Sequence, residues 1–423
     1  MMPIYPKLQK TTTAKMIKNF FTKLNLALLF INIFFLQSYL IRFSIFGYPT
    51  NLQEMMIFAQ ALIFLLSKTI ERNFSQTLKN IRHHWGGNTF LLLTAISILT
   101  VDIIDNVYFI RHLRFLLIAV MFGFIFIETF KTEKSRMEAI KVMGLGAIFF
   151  GIFSTIYNLL GHNLAHDYRL LGPLDSAVYL AFYLAPFFIF FGIRFWENKK
   201  RNNLIYAIIL GLLILATRSM GAIGGIFLIM TLYIFKKSGK QILKSKIAKT
   251  ILIITTIAIV GTIFYTKILP TIQTNYSSLS ERGEIWKTSV KLLKDPLDIV
   301  WGKGFGQFQY HYETNVKEIL GQNPLDYYVL QPHNIFLLFL FQYGILGLFF
   351  LFACIVRTIK NLSIPLIGEI HLTTIINFII LYFLIHGIID TPFFKNDLLI
   401  MLILFFEIGL GRNNKSDDEM RAP

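Results

Sequence analysis

The 423-residue chain is too apolar for a water-soluble protein. Hydrophobic residues make up 55% of it and charged residues 15%, whereas about a quarter of the residues of a soluble domain are charged. The formal net charge of +17 follows the loops between apolar stretches, which indicates membrane topology and contact with anionic headgroups rather than binding to nucleic acid. The composition therefore predicts an integral membrane protein.

About twelve apolar stretches approach the roughly 20 residues that a helix needs to cross a bilayer. The first lacks a small-residue cleavage site after it, so we expect an uncleaved signal anchor. The predicted spans are 24–46, 52–68, 89–106, 112–130, 138–160, 176–195, 203–217, 219–235, 250–269, 334–357, 371–389 and 396–411.

Lysine and arginine collect in alternate loops, as they do on the cytoplasmic side of membrane proteins. Both termini are therefore expected in the cytoplasm, and the fold class is predicted as all-α. We divide the chain into residues 1–269 with spans 1–9, a periplasmic loop at 270–333 with short helices, 334–411 with spans 10–12, and a cytoplasmic tail at 412–423.

The loop at 270–333 is the longest between spans. Ser278 and Glu281 have capping-box spacing and predict a helix that Asp295-Pro296 ends, with Arg282 and Trp286 on one face. The glycine-rich stretch 301–306 follows. It lacks the Ser or Thr after lysine and the preceding strand of a phosphate-binding P-loop, so it predicts a tight turn.

A polar cluster is expected where the outer loops meet the membrane. Pro332 and Asn334 suit a helix start, which puts His333 at the membrane boundary. Arg218 lies between two apolar spans, and burying an unpaired arginine there would cost several kcal/mol, so it should face a cavity or an anion. Arg169, His386 and Asp390 are further candidates for binding substrate on the same face.

These residue types suit a lipid-linked phosphate or diphosphate. Arginine binds phosphate bidentately and stabilises the charge that develops on a leaving diphosphate. Histidine can act as a general base near neutral pH. The single cysteine, Cys354, excludes an intramolecular disulfide or a cysteine metal site. We expect group transfer from a polyprenyl diphosphate to a hydroxyl without a metal or other cofactor.

From about residue 165 to 350 the chain resembles the O-antigen ligase and polymerase family, which are bacterial membrane glycosyltransferases of the GT-C type. The resemblance rests on the order of its features. These are Gly172-Pro173 before a helix, Arg218 at a helix end, a large loop with Arg282 and Trp286, the glycine turn at 302–306, His333-Asn334, and Gly344 and Gly347 beyond them.

The resemblance implies a site on the periplasmic face of the bacterial inner membrane. Arg218 and Arg282 would bind the undecaprenyl diphosphate of a glycan donor, and His333 would activate the acceptor hydroxyl, with inversion and no metal. Transfer to lipid A-core is the first interpretation. Polymerisation of lipid-linked repeats and transfer to protein hydroxyls use the same donor and stay open, as does a flippase of lipid-linked sugars, which would need no general base.

Overall fold

The computed structural model of the protein describes residues 7–71, 73–163, 168–242, 278–362, 370–391 and 395–410. Most of these residues are helical. The predicted ninth span at 250–269 and the tail at 412–423 lie outside the described residues.

The helices follow the apolar stretches closely. In chain order they are α1 (Lys7–Phe34), α2 (Leu52–Ile70), α3 (Phe74–Asn80), α4 (Trp85–Thr100), α5 (Asn106–Thr129), α6 (Glu133–Leu159), α7 (Ala177–Asn198), α8 (Arg201–Ala216), α9 (Met220–Ile242), α10 (Ser278–Leu292), α11 (Pro296–Trp301), α12 (Phe308–Leu320), α13 (Ile335–Lys360), α14 (Leu372–His386) and α15 (Asn396–Leu410). Short 3₁₀ helices lie at Leu36–Leu40 and Ile81–His83.

Several described helices are suited to a bilayer. Seven have the length and hydropathy to cross a membrane, namely α2, α5, α6, α7, α13 and parts of α1 and α9. Shorter apolar helices coincide with α4, α8 and α14. These features support a multi-pass membrane protein, whereas the total of twelve spans and the cytoplasmic position of both ends stay predictions.

The prediction of a helix over 24–46 is wrong in its second half, and the fold is nearly rather than entirely all-α. Helix α1 ends at Phe34, and strands β1 (Arg42–Ile45) and β2 (Tyr48–Asn51) form an antiparallel hairpin. Its two turn residues, Phe46 and Gly47, have φ of 50° and 82°. Two positive φ angles match the twist of a two-residue hairpin, and glycine adopts one of them without steric cost.

Helix α7 is the centre of the core. Its side chains are buried on all sides, and α6, α8, α9 and α14 pack around it. Helix α14 also contacts α9, α13 and α15. The C-terminal end of α14 is consequently fixed beside the start of α9 and the start of α13.

The glycine-rich stretch forms a close backbone contact rather than a phosphate loop. Gly302 and Gly344 both have positive φ, and Gly344 bends α13 with φ 61° and ψ −152°. A Cβ on Gly344 would lie 2.0 Å from the carbonyl oxygen of Val300, and one on Gly302 would lie 2.6 Å from that of Phe341. Only glycine permits α11 to approach the bend this closely.

We expect Gly344→Ala to destabilise the protein by about 2–6 kcal/mol, because it adds both backbone strain and overlap with Val300. Gly224→Ala in α9 is the control, since a Cβ there meets nothing within 4 Å and alanine favours a helix. Thermal unfolding in detergent would show a lower midpoint for Gly344→Ala alone. Equal midpoints for the two variants would contradict the account.

Candidate active site

A cavity of about 280 Å³ lies where the ends of α9, α10 and α14 meet. Its lining brings together five residues that the sequence analysis singled out, which are Arg169, Arg218, Arg282, His386 and Asp390. Three of these are arginines, and the one carboxylate among the five is paired, as described below. The formal charge of the described lining residues is therefore positive.

The N-terminus of α9 and the first described turn of α10 lie at the same cavity. Ser219, Met220 and Gly221 at the start of α9 line it, as do Ser278 and Leu279 at the start of α10. The first backbone N–H groups of a helix lack intrahelical partners and carry the positive end of the helix dipole. This arrangement favours an anionic ligand, and phosphate is the group that helix N-termini commonly bind.

Asp390 joins an arginine and a histidine from different parts of the chain. Its Oδ2 accepts a hydrogen bond from Arg282 Nη2 at 2.9 Å, and its Oδ1 lies 2.8 Å from His333 Nδ1. The carboxylate also accepts the backbone N–H of Thr391 at 2.9 Å. A carboxylate that accepts from Nδ1–H fixes the tautomer in which Nε2 of His333 is the basic nitrogen.

The Asp390 carboxylate stays ionised because of these partners. Burial acts to raise its pKa, but the neighbouring His333 and Arg282 outweigh burial, so the pKa of Asp390 lies well below its ordinary value. The side chain is only 4% exposed, compared with 27% for His333 and 21% for Arg282. A buried ionised carboxylate thus holds two more accessible basic groups in place.

The backbone is unusual at two of the predicted functional positions. Arg218, between α8 and α9, has φ of 50°, and His333, before α13, has φ of 47°. Left-handed geometry is uncommon for residues other than glycine, and it persists only where the surroundings impose it, often at functional sites. The bend at Arg218 directs the chain from α8 into α9 at the rim of the cavity.

Trp286 and Asn334 support His333 from either side. The indole N–H of Trp286 donates to the carbonyl oxygen of His333 at 3.4 Å. The side-chain oxygen of Asn334 caps α13 by accepting from Phe336 and Leu337, and its amide donates to the carbonyl oxygen of Ile388 at 2.8 Å. In this structure the two side chains therefore position the histidine backbone instead of facing the cavity.

No sequence pattern predicts the partnership between Asp390 and His333. From the sequence, Asp390 is a candidate for binding substrate, and an Asp before Thr-Pro at a helix end is equally explained as a helix terminus. The one available signal was the shared position of both residues at the outer ends of apolar spans. Among the residues that the structure describes, no group of three or more His, Cys, Asp or Glu side chains is arranged to hold a metal ion.

Comparison with known families identifies this part of the chain. Residues 204–352 match the O-antigen ligase family. The match contains Arg218, Arg282 and His333, and it ends before His386 and Asp390. It confirms the resemblance seen in the sequence and supports a membrane glycosyltransferase of the O-antigen ligase and polymerase kind. No curated protein matches the chain.

We expect the contribution of Asp390 to stability to depend on pH. A lowered pKa in the folded state stabilises the protein above the unfolded-state pKa of about 4, and this stabilisation is lost as pH falls through the folded-state value. Asp390→Asn should cost about 3–5 kcal/mol at neutral pH, the usual effect of breaking a buried ion pair.

The measurement is the difference in unfolding midpoint between wild type and Asp390→Asn in detergent from pH 7 to pH 3. The gap should stay constant from pH 7 to about pH 5 and narrow below about pH 4, where the carboxyl takes up a proton in the unfolded state. Asp102→Asn is the control, because Asp102 is exposed and forms no ion pair with the described residues. A gap for Asp390→Asn that stays constant across this range would refute the prediction.

Proposed function

We propose that the protein transfers a glycan from undecaprenyl diphosphate to an acceptor hydroxyl, in the manner of an O-antigen ligase. The observation that carries the proposal is the hydrogen-bonded set of Arg282, Asp390 and His333 at the edge of a cavity rich in arginine. The family match over residues 204–352 supports the same class of reaction.

The cavity is the proposed binding site of the diphosphate. Arg218 and Arg282 would contact its oxygens, with Arg169 as a further cation and the N-terminus of α9 contributing backbone N–H groups. Guanidinium groups bind diphosphate oxygens bidentately and need no reorganisation when negative charge grows on the leaving group. One amino group of Arg282 donates a hydrogen bond to Asp390, and this contact orients the rest of the guanidinium.

His333 is the proposed general base. Its Nε2 would take the proton from the acceptor hydroxyl while that oxygen attacks the anomeric carbon of the donor sugar from the face opposite the diphosphate. The bond between the anomeric carbon and the diphosphate oxygen breaks, and its electron pair stays on the departing undecaprenyl diphosphate. Attack from the opposite face inverts the anomeric configuration. The arginines and the N-terminus of α9 supply the positive charge, so the proposed reaction requires no metal ion.

The proposed acceptor is lipid A-core, and the proposed location is the periplasmic face of the bacterial inner membrane. The long loop with α10 to α12 and the basic residues in alternate loops support this orientation. A donor and an acceptor that are both lipid-anchored would diffuse in one bilayer and meet at the membrane boundary.

The first test is transfer by the purified full-length protein in detergent, with a chelator present, from a synthetic undecaprenyl-diphosphate glycan to lipid A-core. We expect product from wild type and none above background from His333→Ala, because no other group would accept the hydroxyl proton. The matched control is His371→Ala, which changes an exposed histidine at the far end of α14.

Other outcomes identify the alternatives. Elongation when only lipid-linked repeat units are supplied would make the protein a polymerase, and product on a protein hydroxyl would make it an oligosaccharyltransferase. If His333→Ala leaves movement of lipid-linked sugars across a vesicle membrane intact and wild type forms no product with any acceptor, the protein is a flippase and the transfer proposal fails.

Asp390→Asn should separate positioning from binding. An amide cannot enforce the same histidine tautomer, and the equivalent change in a serine protease lowers kcat by about 10⁴-fold. We expect a fall in kcat of about 10²- to 10⁴-fold with a smaller change in the KM for donor. The check is steady-state kinetics at fixed acceptor, and an unchanged kcat would remove Asp390 from the mechanism.

A further inference from the structure

His386 and Tyr382 form a buried pair at the C-terminal end of α14. Their side chains are 1% and 0% exposed, and the tyrosine hydroxyl lies 2.8 Å from His386 Nδ1. The imidazole ring is stacked on Phe182, with 3.7 Å between centroids and 13° between planes. The ring is therefore held on one face by an aromatic side chain and at one nitrogen by a hydroxyl.

The Tyr382 hydroxyl fixes the position of the histidine proton. Within the part of the chain that the structure describes, His386 Nδ1 is its one hydrogen-bond partner. A buried hydroxyl that accepted from Nδ1–H would leave its own hydrogen without an acceptor, at the cost of an unsatisfied buried donor. With the hydroxyl as donor to Nδ1, the ring proton of the neutral imidazole lies on Nε2, in the cavity lining, where a water or a ligand oxygen can accept it.

His386 Nε2 is directed towards the start of α9. A Cβ placed on Gly221 would lie 2.7 Å from this nitrogen, so the imidazole packs closely against the start of α9 and only glycine at this position permits the approach. Gly221 and His386 line the same cavity as Arg218 and Arg282. The Nε2 atom thus lies at the start of α9, in the lining of the cavity that also contains Arg218 and Arg282.

The geometry points to His386 as a neutral hydrogen-bond donor to a phosphate oxygen of the lipid-linked diphosphate, with Tyr382 as the positioning residue that fixes its tautomer. This inference rests on the proposed function and deepens it. No covalent bond to His386 forms or breaks, and its proton stays on Nε2. His333 and His386 then have opposite roles: Asp390 makes Nε2 of one an acceptor, and Tyr382 makes Nε2 of the other a donor.

The two histidines differ in their partners for a physical reason. A tyrosine hydroxyl sets the tautomer of His386 without adding a second carboxylate to the cavity, where Asp390 is already paired with Arg282 and His333. A donor held in place by packing also costs little conformational entropy on binding. His386 is consequently suited to recognise the diphosphate, and His333 to accept a proton.

The test measures equilibrium binding of radiolabelled undecaprenyl diphosphate, with undecaprenol as the matched probe, to the full-length protein in nanodiscs. His386→Ala should weaken binding of the diphosphate by about 10- to 100-fold, the usual range for one hydrogen bond to a charged group. His386→Gln should bind within about threefold of wild type, because its amide nitrogen can occupy the Nε2 position. Undecaprenol binding should not change in either variant.

Tyr382→Phe is the second variant, and it changes one buried atom. Without the hydroxyl both tautomers are available, so we expect diphosphate affinity between those of wild type and His386→Ala. His371→Ala, at the opposite end of α14, is the control and should bind as wild type does. Thermal unfolding of each variant identifies any that is not folded, and Tyr382→Phe and His386→Gln carry the test if His386→Ala does not fold.

The outcomes separate this inference from the proposed function. If wild type binds the diphosphate and transfers glycan while His386→Ala binds equally well, the inference is wrong and the proposed function stands. If His386→Gln binds the diphosphate as weakly as His386→Ala, the imidazole contributes through packing rather than through a hydrogen bond, and its role as a donor is overturned. If wild type binds undecaprenyl diphosphate no more tightly than undecaprenol, the cavity is not a diphosphate-binding site and both proposals are wrong.

Discussion

The carboxylate of Asp390 is shared between Arg282 and His333, and this contact fixes the geometry at one end of the bundle. Burying an ionised carboxylate is costly unless it is paired and hydrogen-bonded. Pairing here requires α10, the start of α13 and the segment after α14 to meet. The same requirement brings the start of α9 and the first described turn of α10 to one cavity, because α9 packs along α14.

Backbone geometry supports this arrangement from outside the cavity. The bend at Gly344 lets α11 approach α13, and the hydrogen bond from Lys303 N to the Phe341 carbonyl oxygen closes the contact. Asn334 ties the start of α13 to Ile388, close to Asp390 in the chain. His333 therefore adopts its left-handed conformation between a fixed helix start and a fixed loop, and its side-chain direction is set before any substrate binds.

The charge distribution of the site suits a membrane boundary. Arginines and the N-terminus of α9 line the cavity, whereas the carboxylate that faces it is already paired. In a region of low dielectric such a cavity attracts a diphosphate more strongly than it would in water. The proposed glycosyl transfer would use that attraction twice, first for holding the donor and then for stabilising the leaving group.

The sequence by itself determined the helices, since apolar length and turn residues act locally. Eleven of the predicted spans correspond to described helices, and the departure at residues 42–51 is a hairpin whose turn depends on Gly47. Sequence also selected Arg218, because an arginine between two apolar spans is costly to bury without a partner, whereas the roles expected of Arg282 and His333 came from the family resemblance. Only the tertiary structure decided that Asp390 pairs with Arg282 and His333, and that the start of α9 lies beside the first described turn of α10. These are contacts between segments far apart in the chain, and no local pattern specifies which distant partner a side chain will find.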